Sequence, residues 1–220
     1  MNYVFQFGTL LREWPLLLDG LLLTMRLSLT AMVFGLGVGT VCAAASVYGG
    51  RMLRGGVQGY VELIRNTPFL VQLFMIFLGL PVLGVRLSPD TAAAVALTVN
   101  VGAYASEIIR AGIESVPRGQ IEAGTALGLS RYLVFRHVVL KQALIAVYPA
   151  LSSQFILLML GTSVVSAIGA EELSATANSI QSRTFRAFEV YFVVTGIYLL
   201  LALFFRETFR FLYRRWTRQT

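Results

Sequence analysis

Five stretches of this chain run without a single charged residue: Leu27–Gly50, Asn66–Val85, Thr91–Ser106, Gln142–Ala170 and Val190–Phe205. A helix needs about 20 mainly apolar residues to cross a hydrocarbon core of about 30 Å, fewer where the ends snorkel. The first stretch extends backward past Arg26 toward Leu16, and the third continues through Ile108 and Ile109. Phe188 and Phe209–Tyr213 flank the fifth. The reading is an all-α integral membrane protein, one transmembrane domain of five spans near 16–48, 63–85, 91–112, 142–169 and 188–211. A more polar segment, 113–141, separates the third span from the fourth. Composition agrees: 56% of residues are hydrophobic and 13% charged, against about 25% charged in soluble domains. A soluble enzyme of this length could not hide that much apolar surface.

The net charge of +7 and pI near 10.0 would suit a nucleic-acid-binding chain, but the distribution argues against it. With the N-terminus outside, the inner segments hold 13 of the 18 basic residues: Arg51, Arg54, Arg65, Arg110, Arg118, Arg131, Arg136, Lys141, Arg206, Arg210, Arg214, Arg215 and Arg218. The outer segments hold Arg12, Arg86, Arg183 and Arg186, and Arg26 sits within the first span. Basic residues favour cytoplasmic loops, so the N-terminus is expected outside and the C-terminus in the cytoplasm. Adding the acids gives +8 inside and −2 outside before Arg26 is counted.

Cofactor chemistry has little to work with. The one cysteine, Cys42, lies in an apolar run, and the one histidine, His137, follows Arg136, so neither a disulfide nor a metal site is expected. The first eleven residues lack a basic region, and Asp19 and Arg26 interrupt the first apolar stretch, so that span is expected to be retained. Gly35, Gly39 and Ala43 recur at four-residue spacing, which lets helix backbones approach closely in lipid. Pro68 opens the second span, Pro81 reads as its terminator, and Ser88-Pro89-Asp90 is a turn before the third.

The segment 113–141 reads as a helix-turn-helix. Val116-Pro117 marks a start, Gly128 a C-terminal glycine cap, and Ser130 the N-cap of a second helix from Arg131. Ala123, Ala126, Leu127, Leu129 and Leu133 are too apolar for a purely solvated loop, and either the chain's own spans or a partner must cover them.

Here the sequence resembles the membrane permease subunits of ABC importers of the polar amino acid uptake family. Their cytoplasmic loop reads Glu-Ala-Ala, three residues, Gly, nine residues, Ile-x-Leu-Pro. This chain has Glu122-Ala123-Gly124, Gly128 and Val138-Val139-Leu140-Lys141, with Gly124 and Lys141 departing from the pattern. Gly20–Leu29, Arg65–Phe74, Tyr104–Ile113, Ser115–Gln120 and Gly169–Leu173 match further motifs in the same order. The resemblance implies a five-span type I importer. A second permease subunit, cytoplasmic ATPase subunits and an extracytoplasmic amino-acid-binding protein would complete it in a bacterial inner membrane. Glu122, Ala123, Gly124, Ala126, Leu127 and Gly128 would form the coupling element to the ATPase. The chain has no phosphate-binding GxxxxGK[ST] loop, so it is not the ATPase, and no catalytic residue or cofactor is expected.

Polar side chains inside spans are costly and usually face the bundle interior. Gln72, Asn100, Tyr104, Glu107, Gln154, Thr162 and Ser163 are therefore candidates to line a substrate path; the plainer alternative is hydrogen bonding between helices. Many relatives carry a Lys-Asp pair in the fourth span, where this chain has Leu160-Gly161. Arg26 is either a snorkelling side chain or a counter-ion to a substrate carboxylate. Glu171 and Glu172 are expected at the outer surface, where a binding protein would dock. An ion-coupled secondary transporter or channel is the competing class, but no inverted repeat or filter sequence is visible.

Overall fold

The computed structural model describes residues 5–217, the side chains of Thr9 and Leu11 apart; Arg218, counted above, lies outside that range. The described residues form helices and turns and no strand. A short α1 (Gly8–Arg12) precedes α2 (Trp14–Tyr48), whose 35 residues reach about 52 Å. Apolar residues surround α2, so its packing face is defined by size rather than polarity. Leu17, Gly20, Thr24, Leu27, Ala31, Gly35, Gly39 and Ala43 form the buried stripe.

That stripe meets α6 (Pro89–Glu114), opened by Ser88, whose hydroxyl accepts the Thr91 amide at 3.3 Å. A Cβ on Gly35 would overlap the Val101 side chain, and one on Gly39 would lie 2.9 Å from the Ser106 nitrogen. Gly37 faces open space and carries no packing. Close approach recurs at Gly112 against Val147, and at Gly20 against Thr176.

The second span is not straight. Helix α3 (Arg51–Arg65) and the pair α4 (Phe69–Phe74) and α5 (Leu80–Val82), joined by a π-helical turn at Met75–Gly79, meet at 109°. A single span over 63–85 is thus replaced by a break at Asn66-Thr67-Pro68. Pro68 has no N–H and disfavours a helical residue before it, so a helix cannot run through. Among the described residues four helices are long and apolar enough to cross a membrane, Trp14–Tyr48, Pro89–Glu114, Arg131–Ile168 and Ala187–Thr217; the bent pair makes a fifth if taken as one span.

The segment after α6 holds α7 (Arg118–Ala126) and α8 (Arg131–Val134). Helix α8 does not end before the fourth span: it continues through a π turn at Phe135–Val139 into α9 (Leu140–Gly161). The polar segment and the span therefore share one rod. The rod tightens to a 3-10 helix at Thr162–Ile168 and stops at Gly169, whose φ of 83° suits glycine. Helix α10 (Leu173–Thr184) and the long α11 (Ala187–Thr217) complete the chain.

Gly39→Leu should wedge α2 from α6 and cost about 1–3 kcal/mol, read as a lower midpoint of thermal unfolding in detergent. Gly37→Leu, in open space, should leave that midpoint unchanged.

Candidate functional site

Two regions concentrate polar or unpartnered groups. The first is α7. Pro117 caps its start with an extended ψ of 129°. Its end is a Schellman turn: Gly128 N–H donates to Thr125 O at 3.0 Å and Leu129 N–H to Gly124 O at 3.2 Å, with Gly128 at φ 79°. Ser130 then accepts the Leu133 amide at 3.4 Å and starts α8. Gln142 Nε2 donates to Gln120 Oε1 at 2.6 Å, tying α7 to the root of α9. Gly124, the departure from the family pattern, is the buried member of α7; a Cβ there would sit 3.2 Å from a Val134 methyl. Glu122, Ala123, Ala126, Leu127 and Gly128 are exposed, Leu127 at 81%. Leu133 is exposed as well, so the chain's own spans leave most of this apolar surface uncovered. The Glu122 carboxylate has no hydrogen bond or ion pair among the described residues.

The second region is a cleft of ≈ 670 Å³ between the end of α2, α3 and the C-terminal half of α6. Tyr104 and Glu107 line it, with Arg54, Glu62, Arg65 and Arg110. Glu107 accepts from Arg110 through both oxygens, at 3.0 and 2.9 Å, and lies 3.5 Å from Arg65. Arg110 also holds Glu114 at 2.6 Å, and Arg65 sits 5.4 Å from the Tyr104 ring centre. Three arginines face three glutamates, Glu62, Glu107 and Glu114, around this cleft, so its walls are charged without a net sign. Tyr104 and Glu107 were legible as one face of α6. The arginines opposite them lie on α3 or, for Arg110, further along α6, and in the sequence they enter the topology count and the motifs without any sign of a shared cleft.

Gln72 and Asn100 lie beside this cleft but are bonded to each other, Asn100 Nδ2 to Gln72 Oε1 at 2.9 Å. Gln72 Nε2 donates to Ile64 O at 2.7 Å and to Thr67 O at 3.0 Å. The side chain caps the carbonyls exposed by the break before Pro68. The fourth-span candidates stand apart from the cleft. Thr162 is fully buried and donates to Met159 O at 2.7 Å, Ser163 donates to Leu160 O at 2.9 Å, and Gln154 is half-buried. At the two positions that lack the relatives' charges, Leu160 is 39% exposed and nothing lies within 4 Å of a Cβ built on Gly161. Arg26 is exposed and has no ion pair among the described residues.

Glu172 corrects an expectation. It is fully buried, not a surface residue, and only Glu171 is exposed. Its carboxylate accepts the Ser174 and Ala175 amides, both at 2.9 Å, and the Tyr198 hydroxyl at 2.7 Å. Thr24 donates to it at 3.4 Å. Glu172 is thus the N-cap of α10 and pins it between α2 and α11. An N-cap aspartate or glutamate is hidden in a sequence unless its helix start is recognised. Among the described residues no three His, Cys, Asp or Glu side chains cluster to hold a metal.

A family model described as the binding-protein-dependent transport system inner membrane component matches residues 35–219. The chain belongs to this family. The glutamine transport system permease protein GlnP of Escherichia coli (strain K12) is 36% identical over 203 residues, 91% of this chain and 93% of that protein. The L-cystine transport system permease protein TcyB of Bacillus subtilis (strain 168) is 43% identical over 170 residues, 77% of this chain and 73% of that one. A crystal structure described as an amino acid ABC transporter with histidines matches with a TM-score of 0.91 at 35% identity, over 97% of this chain and 100% of that one. The inward-facing MetNI methionine ABC transporter matches with a TM-score of 0.77 at 22% identity, over 91% and 95% of the two chains, and shows the same fold. The permease is therefore a multi-pass membrane subunit of an ABC importer without an ATPase site of its own. Membership implies ATPase and binding-protein partners and a second permease subunit.

Gln72→Leu should leave the Ile64 and Thr67 carbonyls without their buried donor. A loss of about 1–3 kcal/mol is expected, seen as a lower unfolding midpoint for the detergent-solubilised permease.

Proposed function

We propose that this permease, in a bacterial inner membrane with its N-terminus outside, imports a polar amino acid delivered by an extracytoplasmic binding protein. It acts with a second permease subunit, identical or homologous, and is driven by ATPase subunits seated on α7. The observation that carries this reading is the uncovered apolar end of α7, Ala123, Ala126 and Leu127, held rigidly by the Schellman turn at Gly128. A short helix with a fixed exit angle fits a groove on a partner, and burying Leu127 there would be worth about 1.5–3 kcal/mol. Glu122, one turn before Ala126, adds an unpaired charge beside the apolar patch for a basic residue of the ATPase.

The force path follows from continuity. Helix α8 runs into α9 without a stop, and Gln120–Gln142 clamps α7 against that rod. A displacement of α7 on ATP-driven closure would then move the fourth span as a rigid body, a two-state element biased from a remote site. The substrate class follows from the relatives named for glutamine and cystine. The cleft lined by Tyr104 and Glu107 suits such a solute, because its charged walls carry no net sign and could accompany a zwitterion. Gln72 and Asn100 would support that wall from behind, and Gln154, Thr162 and Ser163 would contribute from the fourth span once the paired subunit is in place.

The test is uptake into proteoliposomes holding the permease, its ATPase and its binding protein. Glu122→Lys, Leu127→Asp and Gly128→Asp should each lower ATP-driven uptake at least about tenfold, a loss of about 1.4 kcal/mol or more in coupling, while membrane expression is kept. Unchanged uptake in all three would remove α7 as the coupling element, and uptake without ATP would remove the importer reading.

A further inference from the structure

A groove of ≈ 310 Å³ lies between α9 and α11, lined by none of the residues of the two regions above. Tyr148, Pro149 and Ile156 form one wall; Arg206, Phe209, Arg210 and Tyr213 form the other. Arg206 is the first charged residue after the uncharged run Val190–Phe205, so the groove straddles the edge of the apolar part of the span. Aromatic rings collect at the same level: Tyr148 stacks on Tyr213 at 5.2 Å and lies 6.4 Å from Trp216. Rings of this kind favour the headgroup boundary of a bilayer.

The polar groups of the groove are nearly all spent except for its cations. The Tyr148 hydroxyl donates to Phe209 O at 2.9 Å, Ser152 to Tyr148 O at 2.8 Å, and Ser153 to Pro149 O at 3.1 Å. Glu207 meets Arg206 through Nε at 3.4 Å and Arg210 through Nη1 at 3.0 Å. One carboxylate thus faces two guanidiniums, and the remaining N–H groups of both have no acceptor among the described residues. Arg214 and Arg215 add charge beyond the groove. The groove therefore offers free donors and a positive excess above an apolar floor.

We propose that this groove binds the headgroup of an anionic phospholipid, its phosphate on Arg206 and Arg210 and its glycerol and upper acyl carbons against Ile156, Phe209 and the Pro149 ring. A basic cluster immediately outside a span attracts anionic lipid, and here the groove gives that attraction a defined seat. Assignment to the cytoplasmic leaflet rests on the orientation proposed above; the groove itself does not.

The test is lipid retention by the purified full-length permease in mild detergent, read by native mass spectrometry with phosphatidylglycerol or phosphatidylcholine added. Phosphatidylglycerol should be retained in preference. Arg206→Gln with Arg210→Gln should lower that preference by about fivefold per arginine lost. Arg214→Gln with Arg215→Gln removes equal charge outside the groove and should leave most of the preference intact. Ser153→Trp keeps every charge but fills the groove, and should also displace the lipid, which covers the case of a double variant that fails to fold. Equal loss in the two double variants would mean diffuse attraction and overturn the proposal, as would equal retention of the two lipids or no effect of Ser153→Trp. So would a Ser153→Cys variant, in a Cys42→Ser background, that cross-links to a second copy across the groove. No ATP or binding protein enters the measurement, so its failure is separate from failure of the import reading.

Discussion

Within a bilayer, every backbone N–H and C=O must find a partner inside the protein, because lipid supplies none. The chain meets this demand with helices, and its informative places are those where a helix is interrupted. At Asn66-Thr67-Pro68 the Gln72 amide repairs the ladder, donating to Ile64 and Thr67 carbonyls and accepting from Asn100. At the other end of the fourth span a 3-10 stretch, a left-handed glycine and the Glu172 cap turn the chain into α10. Each break is thus held by a side chain from a neighbouring stretch or span, and the breaks become fixed joints instead of frayed ends.

The second constraint is contact distance. Apolar burial favours helix association weakly when the solvent is itself apolar, so close packing has to supply the attraction. Gly20, Gly35, Gly39, Gly102 and Gly112 bring backbones together along α2, α6, α9 and α10. That core leaves α7 and the α9–α11 groove outside it. The functional surfaces lie where the packing runs out.

The number of apolar stretches, the cap residues Ser130 and Gly128, and the small-residue face of α2 were all legible in the sequence, because each depends on neighbours within a turn or two. The sequence left open whether the chain's own spans cover the apolar residues of α7, and the structure shows most of them exposed. Less legible was the bend of the second span, although Pro68 marked its place: a proline gives a break but no angle. Glu172 was misread because its burial depends on Thr24 and Tyr198, which are 148 and 26 residues away along the chain. Gln72 read as a candidate for a polar path, and its tertiary partners show where its amide is in fact engaged. The arginines of the α3–α6 cleft were counted for topology, and their pairing with Glu107 needed the fold.

By itself the sequence determined that this is a helical membrane protein, where its apolar stretches lie, and that one polar segment carries a short capped helix. Those properties follow from hydropathy, charge bias and local capping, which act over a few residues. Only the tertiary structure decided that α8 and the fourth span are one rod, that the second span is bent, and that opposite charges from α3 and α6 meet around one cleft. These depend on which helix faces which, and in a chain apolar on nearly every side the pattern of polarity cannot specify that; the shapes of small and large residues do.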